Sequence, residues 1–212
     1  MKKFLLPLFF FAVAPSIAQK KFSEGTIVFT VSTSIDGKKI AEDATGVQMT
    51  KGGHLRMEMK SSIGKTITIF DTREGKGAMM REFGSQKMLI PINRANWAET
   101  NAKFQNLDYA FTEDNKELIG FKCSRANAIL KDSTIIEVFY TKDISIENPE
   151  ADSQFGSLPG MVLQFSYTKE KMMVVYTATA IIFDPVPIQK FDLPSSGYRV
   201  LSYEDSKKGS KK

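Results

Sequence analysis

The chain has 212 residues, of which 42% are hydrophobic and 25% are charged, and these values are typical of one globular domain. Eight prolines and fourteen glycines are too few for a collagen-like or low-complexity protein, so both classes are excluded. The formal charge of +5 suggests a nucleic-acid binder, and the positions of the basic residues test that idea.

The first eighteen residues are typical of a cleaved signal peptide. Two lysines at positions 2 and 3 precede an apolar run over residues 4–17, which two prolines interrupt. This run is shorter than the roughly 20 residues that a membrane-spanning helix needs. Small residues at the end of the run predict cleavage after Ala18. We therefore expect an exported protein, periplasmic or extracellular, with no transmembrane segment in its mature part.

Many of the basic residues lie at the two ends of the chain. The predicted leader holds two lysines and residues 207–212 hold four, so 23 of the 29 basic residues remain against 24 acidic ones. These residues are dispersed, whereas a nucleic-acid binder clusters its basic side chains on one face. A nucleic-acid partner is therefore excluded. We expect one domain over residues 19–205 and a Lys-rich disordered tail over residues 206–212.

Apolar and polar residues alternate with a period of two along most of the chain, as in half-buried β-strands. In residues 54–60, Met57 and Met59 point to one side of the strand, while Arg56 and Glu58 point to the other. Short turn signals between these segments predict antiparallel neighbours. The predicted strands are residues 24–34, 54–60, 65–70, 77–83, 87–92, 119–130, 134–141, 161–168 and 172–183.

One segment, residues 93–107, has few β-forming residues and predicts a helix. Asn96, followed three residues later by Glu99, resembles a capping box. Trp97 and Phe104 lie on one apolar stripe of this helix. Because large aromatic side chains are mostly buried, we expect Trp97 to be a packing anchor against the sheet rather than a stacking platform for a ligand.

His54 and Cys123 are the only histidine and the only cysteine in the chain. We expect His54 to be an ordinary exposed strand residue and Cys123 to be buried and inert. A nucleophilic pair of these two residues stays open, because such partners meet only in the fold. One cysteine permits no internal disulfide, one histidine offers little for a metal site, and no phosphate-binding glycine loop is present. We therefore expect no enzyme activity, no cofactor and no metal.

Methionine is enriched, with nine residues after the predicted leader. Three interpretations are open for them. They form an adaptable core, or they line an apolar cavity for a lipid or similar ligand, because the flexible thioether fits varied shapes. As soft ligands they also suit Cu(I). Only the pair of Met57 and Met59 has a spacing that suggests a metal motif, and the period of a strand explains that spacing without a metal.

Four motifs follow one another in the second half of the chain: LIGFKC at residues 118–123, VFYT at 138–141, LPGMVL at 158–163 and FDLPSSGY at 191–198. In these motifs the chain resembles the exported proteins of unknown function named for a Gly-Leu-Pro-Gly-Leu-Ile (GLPGLI) motif, and a sister group of unknown function. Residues 157–162 read SLPGMV and depart from that motif at the first and the last two positions. This departure favours the sister group.

The resemblance implies a fold like that of the envelope lipoprotein carriers, the Lol type. This is a mainly β structure in which a curved antiparallel sheet, or half-barrel, of roughly ten strands has one helix across its concave face. It also implies an apolar groove able to hold acyl chains. At the corner that precedes Met161, we expect Gly160 to adopt a backbone conformation that only glycine adopts easily. The candidate ligand-binding residues are Met57, Met59, Trp97, Phe104 and Met161.

Three hypotheses for the function follow. The first is an exported, non-enzymatic envelope protein that binds a lipid, a lipoprotein acyl chain or another hydrophobic ligand in the concavity of the sheet. The alternative is an interaction module with a filled core that docks on another envelope protein, and an exposed apolar patch without a cavity would favour it. The third, an enzyme, requires Cys123 to lie within hydrogen-bond reach of His54.

Overall fold

The computed structural model describes residues 19–40, 44–132, 134–148 and 154–209, and these residues form a mainly β fold. The predicted signal peptide, residues 1–18, lies outside the described residues. The elements in the described part of the chain are β1 (Lys20–Phe22), β2 (Glu24–Ile35), β3 (Lys38–Lys39), β4 (Ala44–Lys51), β5 (His54–Ser61), β6 (Gly64–Asp71), β7 (Lys76–Phe83), β8 (Gln86–Asn93), α1 (Arg94–Thr100), β9 (Asp108–Leu118), β10 (Phe121–Ile129), β11 (Ile135–Thr141), β12 (Ile144–Ile146), β13 (Met161–Lys169), β14 (Met172–Ile182), β15 (Arg199–Val200) and α2 (Tyr203–Gly209).

Thirteen of these strands form one open sheet, and β1 pairs with β12 as a separate parallel ribbon. The order across the large sheet is β15-β8-β7-β6-β5-β4-β2-β14-β13-β11-β10-β9, with the short β3 paired to β2. All neighbours are antiparallel except β15 and β8. The long pairing of β14 with β2 joins an N-terminal meander to a C-terminal one. The predicted fold class, a mainly β curved antiparallel sheet, is confirmed.

The curvature of the sheet follows from a short connection between its two flanks. Residues 94–107 join β8 to β9, which are ten strand-to-strand steps apart in the sheet. In a flat sheet, ten steps of about 4.8 Å would separate these strands by about 48 Å. The connection contains the seven-residue helix α1 and the 3-10 turn Ala102–Phe104, so its reach is only about 35 Å. The two flanks must therefore approach each other, and the connection crosses the concave face.

Helix α1 lies inside the predicted helical segment and is shorter than predicted, and its capping residue precedes the predicted one. Asn93 is the N-cap: its side chain accepts a hydrogen bond from the backbone N–H of Asn96 at 3.0 Å. In return, the side chain of Asn96 accepts one from the backbone N–H of Asn93 at 3.1 Å. A capping box needs such a reciprocal pair three residues apart. The predicted pair of Asn96 and Glu99 was therefore wrong by three positions.

The hydrophobic core lies on both faces of the sheet. On the concave face, α1 covers a cluster around Phe70, and residues 104–107 cover a second cluster on strands β10, β11 and β13. On the convex face, Val186 and Phe191 from the proline-containing segment 184–198 cover a third cluster on β6, β7 and β8. A fourth cluster surrounds the ribbon of β1 and β12. Both faces of the sheet are thus partly covered by the connections between strands.

All nine predicted strands are present, with shifts at their ends, and alternation alone missed β4, β9 and the four short strands. The predicted strand over residues 119–130 begins only at Phe121, because Ile119 and Gly120 form a tight turn with φ values of 45° and 83°. Strand β9 is an edge strand whose residues are mostly exposed. Its polar sequence therefore lacks the alternation that marks a half-buried strand.

Gly160 is required by close packing rather than by its own backbone conformation, so the predicted reason for this glycine was wrong. Its φ lies outside the positive region. A Cβ atom at this position would lie 2.8 Å from the carbonyl carbon of Thr141 and 3.2 Å from the Cα atom of Lys142. The start of β13 therefore approaches the end of β11 at a distance that only a residue without a side chain permits.

The chain beyond residue 205 continues as a helix for several residues. Helix α2 begins at Tyr203 and ends at Gly209, so it includes the first four residues of the predicted disordered tail. Ser206 is buried, and the Nζ atom of Lys207 lies 3.1 Å from a carboxylate oxygen of Glu99 on α1. These contacts attach α2 to α1. Positions 210–212 lie outside the described residues.

Candidate ligand-binding groove

The register of the strands places Met57 in a row of side chains across the concave face. Met57 lies opposite Gln48 of β4 and Thr68 of β6, and Thr68 lies opposite Met79 of β7. Directly opposite residues on antiparallel strands point to the same face, so the row continues to Ile90 of β8. The row thus combines methionine with short polar side chains on one surface.

Met59 belongs to the next row of the same face. It lies opposite Gly46 of β4 and Thr66 of β6, and the row continues through Arg81 to Met88 of β8. The four methionines of these two rows are half-buried, in contrast to the buried Phe70, Ile90 and Ile92 beneath α1. We call them the methionine wall, which consists of Met57, Met59, Met79 and Met88.

Three aromatic side chains form the opposite flank of the concave face, on β13 and β14. Phe165 stacks on Tyr176 with ring centroids 4.4 Å apart, and Tyr167 lies 6.4 Å from Tyr176. Burial raises the pKa of Tyr176 above its ordinary value, and the neighbouring Tyr167 adds to this shift. The phenol therefore stays uncharged at neutral pH. These three residues are called the aromatic wall below.

Strands β2 and β4 lie between the two walls and form the floor of a groove. Phe29 and Val31 of β2 are buried there, and Phe29 meets Phe165 of the aromatic wall edge to face at 6.4 Å. Gly46 of β4 faces the same space, and a Cβ atom on it would lie 3.4 Å from the Cβ atom of Phe29. The groove is thus shallow over β2 and exposes apolar surface along the methionine wall.

Trp97 is a packing residue at one end of the groove, as predicted from its type. Its ring is nearly parallel to that of Phe70, with an angle of 9° and a centroid distance of 4.5 Å. Ile90, Ile92 and Met79 complete the cluster around it. Because Met79 also belongs to the methionine wall, Trp97 borders the groove, and it holds α1 on the concave face.

Phe104 and Met161 lie away from the methionine wall. Phe104 packs against Phe155 at 6.1 Å in the cluster on β10 and β11. Met161 is only 1% exposed and lines a small, partly open cavity of about 40 Å³, which Phe29 and Phe165 of the groove also line. That volume holds about two water molecules and no acyl chain. Of the five candidate residues, only Met57 and Met59 lie side by side, and Trp97 borders them.

Sequence reasoning missed Met79, Met88 and the aromatic wall. Met79 and Met80 are consecutive and both apolar, so alternation does not tell which of the two faces the groove. The aromatic residues lie far from Met57 in sequence, and only the pairing of β14 with β2 brings them to the same face. The regular recurrence of large apolar residues at Phe165, Tyr167 and Tyr176 was the one available signal.

The convex face carries a network of paired charges beside an open pocket of about 400 Å³. Glu58 contacts both Arg56 and Lys65, with Lys65 Nζ 2.8 Å from the carboxylate. Burial raises the pKa of Glu58, but the hydrogen bonds from Lys65 and Arg56 outweigh burial and hold it below its ordinary value. Tyr198 donates to Glu82, and this bond raises the pKa of Tyr198 to about 12. The two basic side chains that line this pocket, Arg56 and Lys65, are therefore both paired with Glu58.

His54 and Cys123 do not form a nucleophilic pair. Nδ1 of His54, on β5, lies 3.2 Å from a carboxylate oxygen of Asp71, whereas Cys123 is fully buried on β10, with five strands between β5 and β10. Burial raises the pKa of Cys123 to about 11. The described residues contain no group of three histidine, cysteine or acidic side chains placed to hold a metal. None of the helices in the described ranges has the length and apolarity to cross a bilayer.

Solved structures share this fold at low sequence identity. PNGF-II matches with a TM-score of 0.50 and 15% identity over 85% of this chain, and the match spans 32% of PNGF-II, about a third of its length. An uncharacterized conserved protein from Thermus thermophilus matches with a TM-score of 0.51 and 12% identity, over 84% of this chain and 90% of that protein. The LolA superfamily protein NE2245 from Nitrosomonas europaea gives a TM-score of 0.35 and 12% identity, over 82% and 91%. No protein-family model and no curated protein matches the chain. The first two likenesses establish the fold alone.

Proposed function

We propose that this chain is an exported, non-enzymatic protein of the cell envelope, related to the GLPGLI proteins and their sister group. Its proposed activity is to bind a lipid acyl chain or a similar hydrophobic ligand in the groove between the methionine and aromatic walls. The observation that carries this proposal is the half-buried methionine wall, an apolar surface that the covering connection leaves partly exposed. Signal-peptide removal is expected to leave Gln19 as the first residue, which N-terminal sequencing of the exported protein will test.

The ligand would lie along the open groove rather than inside an enclosed cavity. The partly open cavity near Met161 measures about 40 Å³, far less than an acyl chain occupies. Methionine side chains are unbranched and change rotamer easily, so Met57, Met59, Met79 and Met88 can repack around a chain of varied length. The uncharged phenol of Tyr176 offers the same ligand an apolar flank on the opposite side.

A direct test uses a fluorescent fatty acid with the purified protein. The double variant Met57→Glu/Met59→Glu places two carboxylates in the groove, and we expect at least a tenfold loss of affinity because charged groups disfavour an apolar ligand. The control is Ile188→Glu, which changes an exposed residue in the segment that covers the convex face and should bind like the wild type. Thermal unfolding of all three proteins separates loss of binding from loss of fold.

Solvent extraction of the protein purified from the envelope provides an independent readout by mass spectrometry. The proposal predicts lipid in the wild-type extract and its loss from the double variant. Absence of lipid in the extract together with equal fatty-acid affinity for both proteins would contradict it.

A second candidate function, docking of an envelope protein on the same surface, is favoured by the small volume of the cavity near Met161 and by Phe111. This side chain lies on edge strand β9 and is 60% exposed, so it extends the apolar surface beyond the aromatic wall. The candidate predicts that a partner protein is captured from envelope extracts and that Phe111→Ser abolishes the capture. In that case fatty-acid binding by the purified protein is expected to be absent.

A further inference from the structure

Five hairpin tips lie at one end of the large sheet, and together they are called the rim. They consist of residues 35–40, 60–65, 82–87, 129–135 without residue 133, and 170–173. The strand registers place the five tips at the same end of the large sheet. Ile35 lies opposite Met172, and each of the other tips closes a pair of neighbouring antiparallel strands. One tip occurs for every two strands, so the tips follow the curved edge at intervals of about 10 Å.

Exposed apolar side chains concentrate on this rim. Seven of the thirteen exposed large hydrophobic residues in the described part of the chain lie there, and every tip carries at least one of them. Ile63 at the tip of β5 and β6 is 78% exposed, the highest value of the set. A single exposed apolar residue needs no explanation, but one on each of five adjacent tips does. The seven residues are Ile35, Ile40, Ile63, Phe83, Ile129, Ile135 and Met173.

Phe83 packs against the backbone of the neighbouring tip. The ring of Phe83 lies over Gly64, so a Cβ atom on this glycine would be 2.8 Å from a ring carbon of Phe83. Gly64 follows Ile63 directly in the chain, so the ring of Phe83 lies on the neighbouring tip beside the residue that carries Ile63. Phe83 remains 38% exposed despite this contact.

The rim is also positively charged. Seven lysines and four acidic residues lie on the tips, an excess of three positive charges, although the body of the chain is close to neutral. Lys171 is paired with Asp36 at 3.5 Å, and Lys65 is paired with Glu58. Lys60 and Lys131 are exposed on separate tips. Each apolar tip is thus close in sequence to at least one lysine.

We propose that the rim docks on an anionic lipid bilayer, with Ile63 and Phe83 entering the headgroup region while the lysines contact lipid phosphates. A bilayer fits the arrangement better than a protein does, because the apolar side chains are distributed over five separate tips along a curved edge. A fluid surface lets each tip insert independently, whereas a protein partner needs one continuous complementary patch. The charge excess matches an anionic surface in sign, and lysines near such a surface each add about fivefold to binding.

This inference goes beyond ligand binding in the groove, and it concerns a different set of residues. The methionine wall ends at the rim, since Met59 is followed by the tip at 60–65 and Met88 follows the tip at 82–87. A bilayer in contact with the rim would therefore face the open end of the groove. The groove would then open toward the membrane that the rim contacts.

Co-sedimentation of the purified protein with vesicles tests the proposal. We expect binding to vesicles of phosphatidylcholine mixed with phosphatidylglycerol, little binding to phosphatidylcholine alone, and a steep loss of binding as salt screens the charges. Ile63→Ser/Phe83→Ser and Lys60→Glu/Lys131→Glu should each lower the partition coefficient by about tenfold or more. The matched controls are Ile188→Ser/Val200→Ser and Lys122→Glu/Lys142→Glu, which alter exposed residues outside the rim and should bind like the wild type.

Several outcomes would overturn the proposal. They are an absence of vesicle binding by the wild type, equal binding by the rim and control variants, and a loss of protein-partner capture in the rim variants without any effect on vesicles. Fatty-acid affinity measured on the same variants keeps the two proposals separate. If the rim variants lose vesicle binding but keep fatty-acid binding, the loss supports the rim proposal and the retained fatty-acid binding supports only the groove proposal. If Met57→Glu/Met59→Glu loses the fatty acid but keeps vesicle binding, the rim acts independently of the groove.

Discussion

Replacement of Gly160 by alanine tests the packing between β11 and β13. The added Cβ atom would lie 2.8 Å from the carbonyl carbon of Thr141 and 3.2 Å from the Cα atom of Lys142. All the nearest atoms belong to the backbone, so no side chain can rotate away to make room. Both strands are central in the sheet and hydrogen-bonded on both sides, which restricts any shift of β11 or β13.

The expected cost is large because backbone must move by several tenths of an ångström or more. Overpacking of a well-packed interior costs about 1–3 kcal/mol when side chains can adjust, and this site is less able to adjust. Alanine gains at most about 1 kcal/mol over glycine through the entropy of the unfolded chain. We therefore expect Gly160→Ala to lower the free energy of unfolding by about 3 kcal/mol, and the Tm by about 6–12 °C.

The assay is urea unfolding followed by circular dichroism, with Gly46→Ala as the matched control. Gly46 lies within the central strand β4, whereas Gly160 directly precedes β13, and a Cβ atom on Gly46 would be 3.4 Å from the Cβ atom of Phe29, an ordinary contact. We expect this variant to be within about 1 kcal/mol of the wild type. Equal stability of Gly160→Ala and Gly46→Ala would refute the close approach of β13 to Thr141.

Further predictions concern the helix, the thiol and the ion pairs. Trp97→Ala should lower the free energy of unfolding by about 2 kcal/mol because it removes the stack on Phe70, and urea unfolding will measure this loss. Cys123 should resist a thiol reagent at pH 8 until the protein unfolds. Its pKa of about 11 leaves roughly one molecule in a thousand with a thiolate at that pH. Rapid labelling of the native protein would contradict this expectation. The lowered pKa of Glu58 means that its pairing with Lys65 stabilises the fold above the unfolded pKa and is lost as pH falls through the folded one. Glu58→Gln should therefore cost about 1 kcal/mol at pH 7 and less as the pH falls through the lowered pKa, as followed by thermal unfolding across acidic pH values.

A strand with one covered face is the simplest to predict from the sequence, because its side chains alternate. In β5, Leu55 is buried on the concave face and charged residues occupy the other, so alternation identifies both the strand and its orientation. Strand β4 was not predicted although it also alternates, with Gln48 and Thr50 on the concave face and Val47 and Met49 on the convex one. Its apolar residues face the convex side, where Met49 packs against the cluster that the segment 184–198 covers.

The candidate site could be predicted only in part, because a groove depends on which strands become neighbours. Met57 and Met59 share a strand, so a local period brings them together. Met161 was an equally reasonable candidate by residue type, but β13 lies between β11 and β14, where neighbours bury it to 1% exposure. The aromatic wall requires the pairing of Tyr176 with Val31, which are 145 positions apart, and no local pattern specifies a contact of that range.

The length of the connection between β8 and β9 determines whether the groove exists at all. A sheet of this width with a long connection could remain open and twisted, and its concave face would then expose the clusters around Trp97 and Phe104 to water. Residues 94–107 are too short for that arrangement, so they draw the flanks together and cover these two clusters. The connection begins at the end of β8 that is farthest from the rim, and it ends at the rim end of β9. It therefore leaves the rim half of the methionine wall uncovered. The same short segment therefore accounts for the curvature of the sheet, for the filled part of its core and for the position of the apolar surface that stays open.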